Sequence, residues 1–135
     1  MLTPAEYAAL PFPRKRDYAL AVDVMERMCA EAVALWRRAQ SALVLGADGR
    51  AEADRCELVA MCKRNEIFSR QTEYAMSGLP IQIATDDFGF PIRVRRPMGF
   101  QSLEALAQAQ QAAKEAQSPS MQSPSPRKRR TRNGR

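Results

Sequence analysis

The stretch from Asp17 to Leu45, DYALAVDVMERMCAEAVALWRRAQSALVL, contains neither Gly nor Pro, and its apolar residues recur with a helical period. Tyr18, Val22, Met25, Cys29, Ala32, Trp36, Ala39 and Leu43 are separated by alternating steps of four and three, which puts all eight on one face of a helix. Ala21, Met28, Leu35 and Ala42 form a second column beside them. Three apolar positions per heptad make an arc wider than a two-stranded coiled-coil seam, suited to a helix with more than one neighbour. The spacing predicts a rod of roughly 40 Å. Val22, Met25, Met28, Leu35, Trp36 and Leu43 are its candidate packing residues, against a second helix or a second subunit.

Working outward, Gly46-Ala47-Asp48-Gly49-Arg50 reads as a tight connection, with Gly46 in the left-handed position after a helix and Asp48-Gly49 as a turn. So short a loop makes the next helix, Ala51 to Ser77, an antiparallel neighbour. Gly78 and Pro80 stop that helix. Its stripe is sparser: Leu58, Met61, Asn65, Phe68, Thr72 and Ala75, flanked by Val59, Cys62 and Ile67, which sets two polar residues on the expected inner face. Glu66 with Arg70, and Asp23 with Arg27, are spaced for surface ion pairs.

From Leu79 the period changes to two. Ile81 and Ile83 alternate with polar or small residues, Thr85 to Gly89 supplies a turn, and Phe90, Ile92 and Val94 alternate with Pro91, Arg93 and Arg95. This predicts a β-hairpin with one apolar and one basic face, which must cover the helical pair or meet another copy, since a lone hairpin is marginal in water. Asp86 and Asp87 are the only acidic doublet; adjacent turn residues point apart and no third ligand or base partner is in view, so they are assigned to the turn. Gln101 to Gln117 reads as a third helix capped by Ser102, with Leu103 and Leu106 as its only large apolar residues.

Ahead of the rod, Thr3-Pro4-Ala5-Glu6 has the pattern of a capping box opening a short helical turn. Leu10-Pro11-Phe12-Pro13 is expected to be extended, and Arg14-Lys15-Arg16 to be a solvated run or a phosphate-contacting arm. The expected fold is mainly α: an antiparallel helical hairpin plus a small β-hairpin and a disordered basic C-terminal tail. Its divisions are an arm over 1–16, a core over 17–100, an Ala/Gln-rich helix over 101–117 and the tail over 118–135.

The charge is unevenly spread. Six of the 21 basic residues, Arg127, Lys128, Arg129, Arg130, Arg132 and Arg135, lie in the last nine positions, leaving 15 against 15 acidic residues elsewhere, so the formal +6 belongs to the tail. Two smaller basic clusters, Arg14 to Arg16 and Arg93, Arg95 and Arg96, flank a middle in which 12 acidic residues outnumber 8 basic ones. The final RKRRTRNGR resembles the Arg-rich signals of some type IV secretion substrates, and also a nuclear localisation cluster, over those nine residues alone. That resemblance implies an address read by a receptor.

With no His, the chain has no Ser-His or Cys-His nucleophile and no mixed Cys/His zinc site. Cys29, Cys56 and Cys62 match no metal-ligand spacing and are expected to be buried small hydrophobes in a reducing cytoplasm. No apolar run approaches 18 residues, so no membrane association is expected.

No Gly-rich phosphate loop or acid/base dyad is present, so no enzyme and no cofactor or metal is expected. The favoured reading is a non-enzymatic nucleic-acid-associated accessory protein. It would self-associate through its amphipathic helices as a homo-oligomer and contact phosphates through the tail, Arg14, Lys15, Arg16, Arg93, Arg95 and Arg96. The alternative is a protein-binding adaptor, chaperone or inhibitor of phage or plasmid type, docking on a larger protein machine.

Overall fold

The computed structural model describes residues 2–117, so the expectations for 118–135 lie outside the described residues. The chain divides after Phe100 into two compact units. The first contains α1 (Pro4–Ala8), α2 (Phe12–Leu43), α3 (Ala47–Met76), β1 (Gln82–Thr85) and β2 (Pro91–Arg95). The second contains α4 (Leu103–Gln117), whose start is capped by Ser102 Oγ accepting from the Ala105 N–H at 3.2 Å.

α1 opens with the expected capping box. Thr3 Oγ1 accepts from the Glu6 N–H at 3.1 Å while the Thr3 N–H donates to Glu6 Oε1 at 2.9 Å. That backbone bond holds the Glu6 carboxyl below its ordinary range.

α2 starts at Phe12, five residues before the predicted rod, so Phe12 and Pro13 are helical while Pro11 keeps the expected extended backbone. Pro11 is the N-cap and Pro13 lies in the first turn, where a missing N–H breaks no helical bond and the ring presets φ. Arg14, Lys15 and Arg16 are therefore helical rather than part of an arm.

The connection is tighter than its sequence suggests. Gly46 carries φ +73° and α3 begins immediately after it, so Asp48 and Gly49 are helical and form no turn. Gly49 is required for a different reason: a Cβ there would lie 1.9 Å from the Ala42 carbonyl oxygen. The antiparallel pairing is fixed from end to end by Arg38–Glu52 at 3.1 Å, Lys63–Glu31 at 3.1 Å and the Arg14 guanidinium donating to the Ser77 carbonyl at 2.9 Å.

α3 buries Gly49, Ala53, Cys56, Ala60 and Ile67, a stripe rotated away from the predicted one. Leu58 is 66% exposed, Asn65, Thr72 and Ala75 are exposed, and Met61 and Phe68 are half-buried. Close approach of two helices selects small side chains, and α2 contributes the buried Ala32, Ala39 and Ala42 to match. A count of large apolar residues therefore picked the wrong face. The surface pairs also differ from expectation, Glu66 pairing with Lys63 and Arg70 with Glu73.

β1 and β2 pair antiparallel as Gln82↔Arg95, Ile83↔Val94 and Ala84↔Arg93, then Thr85↔Pro91. Ile92 is thus an extra residue, a bulge that breaks the alternation. Pro91 and Val94 are buried while Ile92 is 41% exposed, so Ile92 does not join Phe90 and Val94 on one apolar face. The turn is organised by Asp86, whose Oδ1 accepts from the N–H groups of Phe88 and Phe90, both at 2.9 Å.

The hairpin lies across both long helices. Gln71 and Arg64 of α3 donate to the carbonyls of Ile81 at 2.8 Å and Gly89 at 3.3 Å. On the α2 side, the rings of Trp36 and Phe90 stack at 5.2 Å. The core between these layers contains Tyr18, Val22, Met25, Met28, Cys29, Ile67, Ile81, Phe90 and Val94, and Tyr7 closes one end with Phe100.

Most of the wide arc of α2 is consequently covered within one chain. Met28 is 8% exposed and Leu35 is packed against the core, while Leu43 at the far end of the rod is 50% exposed.

Two glycine substitutions separate the effects at the connection. Gly49→Ala, which drives a methyl into the Ala42 carbonyl, is expected to lower unfolding free energy by about 2 kcal/mol or more. Gly46→Ala, which faces open space but holds φ +73° and ψ −142°, is expected to cost about 1–3 kcal/mol from backbone strain alone. Urea titrations followed by circular dichroism give both values, and an unchanged stability of Gly49→Ala would contradict the close approach.

Candidate nucleic-acid interface

The predicted basic residues fall into two classes once the fold is formed. In the first cluster, the Arg14 guanidinium reaches the Ser77 carbonyl and Asp17, so it caps the C-terminal end of α3, where a cation is favoured by the helix dipole. Lys15 lies over the Tyr7 ring with its Nζ 5.5 Å from the centroid. Arg16 alone of the three is exposed and makes no hydrogen bond or ion pair among the described residues.

The hairpin cluster divides the same way. Arg96 grips Glu26 of α2 through two bonds, Nε to Oε2 at 3.2 Å and Nη2 to Oε1 at 2.6 Å, and its guanidinium lies 5.0 Å over the Phe100 ring. The Glu26 carboxylate raises the Arg96 pKa still further. Arg93 and Arg95, two residues apart on β2, are exposed and unpaired among the described residues. They face outward from the sheet roughly 7 Å apart at Cα. Strand alternation predicted this part correctly, because the bulge lies before Arg93.

The Arg96–Glu26 fork sets the end of β2 beside the turn of α2 that carries Arg27. Arg27 and Arg37 were missed by the sequence reading. Both are exposed on α2 with no hydrogen bond or ion pair among the described residues. The signal was available: the complement of the apolar stripe, in the same steps of four and three, runs through Arg16, Leu20, Asp23, Arg27, Ala30, Ala34 and Arg37.

Among the packing candidates, Val22, Met25 and Met28 are buried, Leu35 and Trp36 are half-buried, and Leu43 is 50% exposed at the far end of the rod. Trp36 meets the hairpin through its stack on Phe90 and also borders Ala53 and Glu57 of α3.

The cysteines do not share one environment. Cys29 and Cys56 are buried, the Cys56 thiol donating to Glu52 Oε1 at 3.4 Å, but Cys62 is exposed, contrary to expectation. Burial pushes the Cys29 thiol up to about 11 from its ordinary 9.

No helix among the described residues is long and apolar enough to cross a membrane.

Two measurements follow from these placements. Arg96→Ala is expected to destabilise the fold by about 1 kcal/mol, an amount discounted for solvent screening because both partners are partly exposed, while Arg93→Ala and Arg95→Ala stay within about 0.5 kcal/mol of the parent. Between pH 9 and about 11 the unfolded Cys29 thiol loses a proton that the folded one keeps. The contribution of that thiol to stability is therefore complete below pH 9 and is lost as pH rises to about 11. Cys29→Ala is expected to remove that component of the alkaline slope in denaturation curves collected across the window. Comparison with protein-family models, curated proteins and solved structures finds no match to this chain.

Proposed function

We propose that this chain is a non-enzymatic nucleic-acid-associated accessory protein that contacts phosphates without reading base sequence. The observation that carries the reading is the pair Arg93 and Arg95. They stand side by side on the outward face of the sheet with no partner among the described residues, while the adjacent Arg96 anchors the strand to α2. Anchoring one cation internally fixes the frame from which the other two project.

Arg16, Arg27 and Arg37 add unpaired cations along the outer stripe of α2, and six further basic residues close the sequence at 127–135. Such contacts release condensed counterions, so the affinity falls steeply with salt and depends little on sequence. Self-association through α2 does not enter this reading, because α3 and the hairpin supply most of the cover that a second subunit was expected to provide.

A second reading, a protein-binding module, is favoured by the exposed apolar side chains of Leu43, Val44, Leu45 and Leu58 near the α2–α3 connection.

Fluorescent duplex and single-stranded oligonucleotides, titrated across a salt series, test the proposal. Full-length protein is expected to bind with a log–log salt slope of several units. Ending the chain at Gln117 is expected to reduce the slope by about five, and combining Arg93→Ala with Arg95→Ala to reduce it by about two, at about 0.9 per phosphate contact. Thermal unfolding of the shortened chain is expected to match the parent, since Met121 is the only large apolar side chain among the removed residues 118–135. Absence of binding by every form at low salt would overturn the nucleic-acid reading and leave the protein-binding module.

A further inference from the structure

The hairpin covers α2 only as far as Trp36, whose ring stacks on Phe90. Past that point the α2–α3 pair continues toward its connection with one face open. A hollow of about 150 Å³ lies there, lined by Trp36, Ala39, Leu43, Ala53 and Glu57 among others. A second of about 320 Å³ is lined by Asp54, Glu57, Leu58 and Met61, and Glu57 belongs to both. Trp36, Ala39 and Leu43 follow one another at helical spacing along a floor roughly 10 Å long, two turns of helix.

The charges identify the occupant. The only ionisable side chains lining the two hollows are Asp54 and Glu57, both acidic. Asp54 is engaged by Arg50 at 3.5 Å, whereas Glu57 makes no hydrogen bond or ion pair among the described residues. Acidic lining repels phosphate, so this surface is separate from the proposed nucleic-acid contacts. A second copy meeting the same patch across a two-fold axis would bring only the same lining, which offers no cation to Glu57.

The geometry points to a docking groove for an amphipathic helix of a partner protein, about two turns long in contact, with an apolar stripe and a flanking Lys or Arg that meets Glu57. A third helix fits the furrow between two antiparallel ones, ridges into grooves. The floor is built from complete helices and offers no strand edge, so an extended peptide has no backbone groups to pair with. Leu58 and Met61 give the partner apolar contact on the α3 side, and Trp36 and Leu43 on the α2 side.

Trp36 is the single tryptophan of the chain, so its emission reports on the groove directly. The probes are two Trp-free synthetic amphipathic helical peptides with the same leucine stripe, one flanked by Lys and one by Glu, each titrated into the full-length protein. The basic peptide is expected to shift the Trp36 emission saturably and to bind at least about fivefold more tightly than the acidic one. Glu57→Lys is expected to reverse that preference. Leu58→Asn is expected to weaken the basic peptide about tenfold at unchanged thermal unfolding, since Leu58 is exposed in the free protein.

Equal binding of the two peptides, or no saturable change with the basic one, would overturn the proposal. So would a Trp36 change that tracks protein concentration together with a dimeric mass in sedimentation, which would make a second copy the occupant. A Trp36 emission that differs between the full chain and one ending at Gln117, with no peptide present, would make the protein's own basic C-terminus the occupant and overturn it equally.

Discussion

A helix that is apolar over roughly half its circumference can stay in water only if two surfaces cover it. α2 is such a helix, and the rest of the first unit is arranged to meet that demand. One side is sealed by α3 through small residues at close range, the other by a β-hairpin that would not persist by itself. The dependence runs in both directions. The hairpin acquires an apolar bed from the shared core and from Trp36 under Phe90, and α2 acquires the cover that makes its length tolerable. Polar ties reinforce the assembly at its edges: Gln71 and Arg64 to hairpin carbonyls, and Arg96 to Glu26. Each is partly exposed and modest alone, but together they fix which strand lies over which helix.

How much of this was legible in the sequence depends on what carried the information. The arc of α2 was written at regular spacing and marked by large side chains such as Tyr18, Val22, Met25 and Met28, and the buried set matches it closely until the end at Leu43. α3 misled because its inner face is written in Gly49, Ala53, Cys56 and Ala60, residues that reveal themselves by being small. Period-two alternation located the hairpin but could not contain a bulge, so Ile92 was placed on the wrong side. The segment holding Pro11 and Pro13 was expected to be extended, when position made both prolines part of a helix start. These are failures of one kind, in which a residue's meaning is set by a neighbour that sequence distance conceals.

The basic clusters show the same limit in electrostatic form. Arg14, Lys15 and Arg16 are consecutive letters with equal formal charge, yet one caps a distant helix, one covers an aromatic ring and one is solvated. Arg93, Arg95 and Arg96 repeat the division. Counting the clustered charges gave a first tally of the cations available to a polyanion, and the fold subtracts those already engaged by carbonyls, carboxylates and rings. It also adds Arg27 and Arg37, which no cluster advertised because they are dispersed along the helix and meet only on its outer stripe.

The bulge at Ile92 bears on how the molecule behaves in a crowd. A two-stranded sheet has nothing but edges, and an edge is a template on which further strands can be laid. An extra residue that interrupts the pairing rhythm, a proline at the head of the same strand and two outward arginines each make β2 a poor template. The two arginines proposed to meet a polyanion thus also help keep copies of the hairpin from stacking on one another, so selection for either property would preserve both.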